Sequence, residues 1–101
     1  MAPIQAFEFT FEFSWKLLKT CLELEGTIAK SPRKTIKHAF QQEIIEERAI
    51  WLQAMAVRNE TVHTYDDAVR HKAATFIADK FAPQVQRLHL KMKKKDDAWT
   101  L

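Results

Sequence analysis

One glycine and three prolines in 101 residues leave the chain almost without punctuation. Gly and Pro are the strongest breakers of regular structure, so a chain this poor in them is expected to run in long helices with short connections. The fold class that follows is all-α. Hydrophobic residues make up 47% of the chain and aromatic residues 11%, enough apolar material for the core of one small domain. Residues 1–95 are expected to form that domain and 96–101 a frayed tail, with no internal repeat and no linker.

The run Phe7-Glu8-Phe9-Thr10-Phe11-Glu12-Phe13 alternates as a half-buried strand would, yet it flows without a break into Trp15-Lys16-Leu17-Leu18-Lys19-Thr20-Cys21-Leu22. Helical periodicity resolves the conflict. As a helix from Ile4 to Glu25, the segment carries two adjacent apolar rows, Phe7/Phe11/Trp15/Leu18/Leu22 and Phe9/Phe13/Leu17/Cys21/Leu24. Glu8, Glu12, Lys16, Lys19 and Glu23 take the remaining side, and Gly26 ends the helix. An apolar surface this wide serves either a core on one flank and a partner helix on the other, or a helix wholly inside its own bundle.

Ser31-Pro32 reads as a helix start, because serine caps free amides and proline at the first position loses no hydrogen bond. A helix from Pro32 to Gln42 should bury Ile36, Ala39 and Phe40, with Arg33, Lys34 and Lys37 solvated or turned to a phosphate. A third helix from near Glu46 should carry Ile50, Trp51, Ala54, Met55 and Val62 inward. After Tyr65-Asp66-Asp67 a fourth should run to Phe81 on Val69, Ala73, Phe76, Ile77 and Phe81. Pro83 should kink or break it, and Gln84 to Lys94 should continue on Val85, Leu88 and Met92.

The single Cys21 cannot form an internal disulfide, and no stretch has the length and charge pattern of a signal peptide or membrane span, so a cytoplasmic location is the default. Net charge is +3. Residues 1–50 carry seven basic and seven acidic side chains, and residues 51–101 nine and six. The excess in the second half includes four lysines between Lys91 and Lys95, which read as a solvated helix end or a weak attraction for a polyanion.

That second half also holds Arg58-Asn59-Glu60-Thr61-Val62-His63-Thr64-Tyr65, in which a permanent cation, an amide, an imidazole and a phenol fall within eight residues. A guanidinium can hold a phosphate in a bidentate fork, and an imidazole can move a proton near neutral pH without a metal. The pattern fits phosphodiester chemistry, with Arg58 and His63 as the catalytic pair and Asn59 orienting either the phosphate or the imidazole. Without reference to any family, structural ion pairing or helix capping is the simpler account of the same residues and comes ahead of catalysis. On a straight helix the pair lies about 140° apart around the axis. Either the helix loosens near Asn59, or two copies meet about a two-fold axis and share their residues.

His63, Asp67 and His71 at helical spacing offer a weaker zinc reading, which a bend near Tyr65-Asp66 would break. His38 and His89 read as surface residues. With one glycine there is no phosphate-cradling loop, and no cofactor is expected.

Taken together, Phe7-Glu8-Phe9-Thr10-Phe11-Glu12, Ser14-Trp15-Lys16, Ser31-Pro32-Arg33, Ala39-Phe40, Ile50-Trp51-Leu52 and Arg58-Asn59 to His63-Thr64-Tyr65 resemble the HEPN family, and within it the nucleotidyltransferase substrate-binding subgroup. The resemblance covers residues 4 to 90. It implies an antiparallel helical bundle of the four-helix type that forms a homodimer, with the arginine-to-histidine motif in a cleft between protomers. It further implies a ribonuclease toxin that cleaves RNA at Arg58 and His63, supported by Asn59. Its partner would be a minimal nucleotidyltransferase antitoxin that adenylylates Tyr65. A non-catalytic subunit presenting a nucleotide or other substrate to a nucleotidyltransferase is the alternative. Members of the family carry a further helix ahead of the Phe-Glu-Phe-Thr segment, so this bundle is expected to lack its first helix.

Overall fold

The computed structural model describes residues 3–63 and 65–99, with side chains for 4–63 and 65–93. These form α1 (Pro3–Leu24), α2 (Pro32–Gln41), α3 (Arg48–His63), α4 (Asp67–Phe76) and α5 (Ala82–Trp99). A π-helical turn, Ile77–Phe81, joins α4 and α5 into one rod. The architecture is the expected all-α helical bundle, with no strand among the described residues.

Helix α1 sorts its phenylalanines as only a helix can. Phe7 and Phe11 enter the core with Leu18 and Leu22, whereas Phe9 is 71% exposed and Phe13 also faces solvent. In the second apolar row Leu17 still packs against the core and the Cys21 thiol approaches the Met92 sulfur at 3.5 Å, but Leu24 is exposed. Gly26, at φ +88, closes the helix. The Thr27 amide donates to the Leu22 carbonyl at 2.8 Å and the Gly26 amide to Glu23 at 3.0 Å, a Schellman closure that needs the left-handed conformation glycine allows.

Ser31 caps α2, its hydroxyl accepting from the Lys34 amide at 3.3 Å. The helix buries Thr35, Ile36 and Ala39. Phe40, expected inside, is exposed, because a face centred on those three residues leaves it at the edge.

Helix α3 starts at Arg48, two residues later than expected. The preceding loop is not helical: Glu43 has φ +62, and Lys91 of α5 donates to the Glu43 and Ile44 carbonyls at 3.3 Å each and pairs with Glu46 at 3.2 Å. Trp51, Ala54 and Met55 face inward, and Ile50 is half-buried against the core. Val62 does not pack inside but is 52% exposed. It lies on the same side of α3 as Trp51, eleven positions or about three turns on, but beyond the end of the core. Thr61 is buried in its place, towards α1.

Asp66 caps α4, its carboxylate accepting from the Ala68 and Val69 amides at 2.8 and 3.3 Å. Pro83 does not break the rod. It has no amide proton and its ring crowds the carbonyl four residues back, so the chain widens by a turn just before it, and the Ala82 amide donates to Ile77, five residues back. Helix α5 then continues to Trp99, into the segment expected as a tail, whose last residues, 100–101, lie outside the described ones.

Phe81 is the hub of the core. Its ring meets Phe7 and Trp51 edge-on, with centroids 5.5 and 5.3 Å away, and Phe11 at 6.1 Å. Edge-to-face pairs like these add about 0.5–1.5 kcal/mol each beyond area burial. The contacts Phe7 to Phe81 and Cys21 to Met92 run in the same sense along both elements, so the α4–α5 rod lies parallel to α1. Helix α3 runs antiparallel to both.

Candidate functional site

Two turns of α1 grip the end of α3. Glu8 and Glu12, one turn apart, face Thr61 and Arg58, also one turn apart, and the reversed order fixes the antiparallel sense. The Thr61 hydroxyl lies 2.9 Å from Glu8 Oε2 and 3.1 Å from the Arg58 carbonyl, with one proton to share between them. Arg58 Nη1 donates to Glu12 Oε1 in an ion pair, and the guanidinium carbon sits 5.3 Å from the centre of the Phe11 ring. Glu12 Oε2 accepts from Trp15 Nε1 at 3.1 Å and lies 3.8 Å from Lys16 Nζ. Arg58 Nε is buried and meets no acceptor among the described residues.

Ion pairing, one of the simple readings of Arg58, is therefore part of the structure. Glu12, which pairs with Arg58, and Glu8, which meets Thr61, were expected only on the side of α1 left over by its two apolar rows. They border the buried Phe7/Phe11 row closely enough to reach across to α3, and two acids one turn apart opposite an arginine and a threonine one turn apart is the signal that marks them.

Helix α3 stays regular through Asn59, so it does not loosen to bring Arg58 and His63 together. Asn59 and His63 are exposed. Around the axis the order is Arg58, Val62, Asn59, His63, an arc of about 140° on the side not covered by α4. A cation and an imidazole thus flank an exposed aliphatic residue. Tyr65, 85% exposed, follows in the short turn before α4, and the Arg70 guanidinium lies 5.9 Å from its ring centre. Thr64 lies outside the described residues.

On another side of α3, a shallow cleft of about 180 Å³ opens towards α4. Val57, Val69, Ala73 and Phe76 give it an apolar floor, and Gln53, Glu60 and Lys72 supply polar groups at its edge. The His63, Asp67, His71 zinc reading does not survive the fold. Helix α3 stops at His63 and α4 starts at Asp67, so the three residues share no helical face, and no group of three potential ligands clusters among the described residues. Arg33, Lys34 and Lys37 are all exposed. No helix among the described residues is long and apolar enough to cross a membrane.

The grip of α1 on α3 joins the Phe-Glu-Phe-Thr-Phe-Glu segment to the arginine-to-histidine segment, and the profile of proteins described as nucleotidyltransferase substrate binding protein like matches residues 1–94, spanning both. The chain belongs to this family. It is the HEPN-associated subgroup that the sequence motifs resemble. A comparison with curated proteins finds no match. Within the nucleotidyltransferase substrate-binding-like family, this chain offers a largely buried cation, an exposed amide and an exposed imidazole along one arc of α3, an exposed phenol in the turn that follows, and a small apolar cleft on another side of the helix.

Proposed function

We propose that the protein is a metal-independent endoribonuclease, the toxin of a toxin-antitoxin pair, acting in the cytoplasm as a homodimer. The observation that carries this reading is the arc on α3. Arg58 and His63 stand too far apart around one straight helix to meet on one phosphate. Two copies packed across Val62 about a two-fold axis would bring the guanidinium of each towards the imidazole of the other.

In such a cleft one His63 imidazole takes the proton of a ribose 2′-hydroxyl, and the oxygen attacks the adjacent phosphorus. The bond to the departing 5′-oxygen breaks, and that oxygen takes a proton from the second imidazole, or from water. The products are a 2′,3′-cyclic phosphate and a 5′-hydroxyl. Arg58 holds the phosphate and offsets its growing charge, and Asn59 orients it.

The family description brings a nucleotidyltransferase as partner. The exposed Tyr65 phenol is its target: the phenolic oxygen bonds to the α-phosphorus of ATP, pyrophosphate leaves, and the proton passes to a base of the partner or to water. The added negative charge beside the cleft repels RNA.

The family description and the α3–α4 cleft favour a second reading, a non-catalytic subunit that presents a nucleotide or other substrate to the partner. The cleft falls below the usual range of roughly 300–1,000 Å³ for small-molecule sites, so it suits a base better than a whole nucleotide.

Incubation of the purified protein with labelled single-stranded RNA in excess EDTA, beside His63→Ala, separates the two. Cyclic-phosphate products from the parent alone support the nuclease. No cleavage by a folded parent, with retained binding to the nucleotidyltransferase, supports the presenting subunit.

A further inference from the structure

An arginine has five N–H donors, and the surroundings of Arg58 dispose of them unevenly. Glu12 takes one from Nη1, and Nε is enclosed by protein. Phe11 lies 5.3 Å from the guanidinium carbon and limits how the group can tilt. Nη2 has no acceptor among the described residues. The side chain as a whole keeps 22% of its surface open to solvent.

Glu12 is itself held. Its second oxygen accepts from Trp15 Nε1 and lies near Lys16 Nζ, two contacts within α1 that favour the side-chain position reaching Arg58. One turn away the Glu8 contact with Thr61 fixes the same two helices against each other. The guanidinium is thus anchored at one nitrogen, with a neighbouring nitrogen left to donate elsewhere.

We propose that Glu12 is the positioning residue of Arg58, holding the guanidinium against Phe11 so that its Nη2 edge is presented to an RNA phosphate. The inference rests on the nuclease reading of Arg58. A free arginine would have to give up several rotors on meeting the phosphate, whereas an anchored one makes its contacts from a fixed place. Glu12 also brings a negative charge close to the anion site, which weakens RNA binding in general. The two effects have opposite signatures: the first acts on kcat, the second on KM.

The test is steady-state cleavage of a short labelled single-stranded RNA by the full chain and by Glu12→Ala, Glu12→Gln, Arg58→Ala and the double variant Glu12→Ala/Arg58→Ala. Each is checked for fold by circular dichroism and assayed well below its melting temperature. Glu12→Ala is expected to lower kcat by between about tenfold and 100-fold, with KM unchanged or reduced. Glu12→Gln keeps an acceptor for Nη1 and should lose only several-fold. In the Arg58→Ala background, Glu12→Ala should change kcat no further. Where Glu12→Ala does not fold, the near-isosteric Glu12→Gln carries the test, and an unchanged kcat there overturns the proposal.

An unchanged kcat in folded Glu12→Ala would reduce Glu12 to a structural contact. A raised kcat would make it a block on Arg58, and additive losses in the double variant would mean that it acts elsewhere; each outcome overturns the proposal while leaving the nuclease reading intact. A folded parent that cleaves no RNA overturns both.

Discussion

Phe9 and Phe11 sit two positions apart on α1, one facing water and the other sealed in the core beside Phe81 and Arg58. Phe11→Ala should cost about 3–5 kcal/mol, the usual cost of emptying a buried aromatic site. Phe9→Ala should stay within about 0.5 kcal/mol, and urea unfolding of both variants checks the contrast. Thr35 is fully enclosed on α2 with a hydroxyl that meets no acceptor among the described residues. Thr35→Val has nearly the same shape and removes the enclosed polar group, so it should raise stability by up to about 1 kcal/mol, read as a higher urea midpoint with unchanged slope. The inward position of Phe11 was legible from the helical period. The partner of Arg58 was not, because the pattern that placed Glu12 on a polar side of α1 says nothing about which helix comes to lie beside that side.

The helix boundaries follow local chemistry where that chemistry is strong. Ser31-Pro32 starts α2 as expected, and Gly26 ends α1. A Cβ added at Gly26 meets nothing within 4 Å, so Gly26→Ala should cost only the backbone strain of a positive φ, about 1–2 kcal/mol. A thermal melt of that variant measures it, and a larger loss would mean the turn has packing not visible in its surroundings. Pro83 illustrates a rule with two outcomes. A proline within a helix can break it or push a wider turn upstream, and the burial of both Phe81 and Leu88 favours the second. Pro83→Ala removes the cause of the widened turn, so 77–83 should relax towards a regular α-helical ladder with stability shifted by less than about 1 kcal/mol; a crystal structure of the variant that keeps the widened turn would refute this. Lys91 belongs to a lysine-rich run that composition alone leaves in solvent, yet it ties α5 to the loop before α3. The pairing depends on a loop almost fifty residues earlier, which no local pattern reveals.

At the scale of the molecule, function becomes a matter of assembly. Val62 points along the core-facing side of α3 but lies past the core, between Arg58 and His63. If copies meet there, Val62→Glu should abolish the dimer in sedimentation experiments and cleavage with it, while the exposed site keeps the stability change within about 0.5 kcal/mol. A parent that cleaves RNA as a monomer would rule out a shared cleft. By itself the sequence determined the all-α class, the helix ends at Gly26 and Ser31, most of the core and the family, because these depend on periodicity, turn chemistry and motif order within short windows. Only the tertiary structure decided that Glu12 and Phe11 hold Arg58, that Thr61 rather than Val62 is buried, and that α3 stays straight through Asn59. Those facts depend on which faces of distant segments meet and where the core stops, and the packing of whole helices sets both.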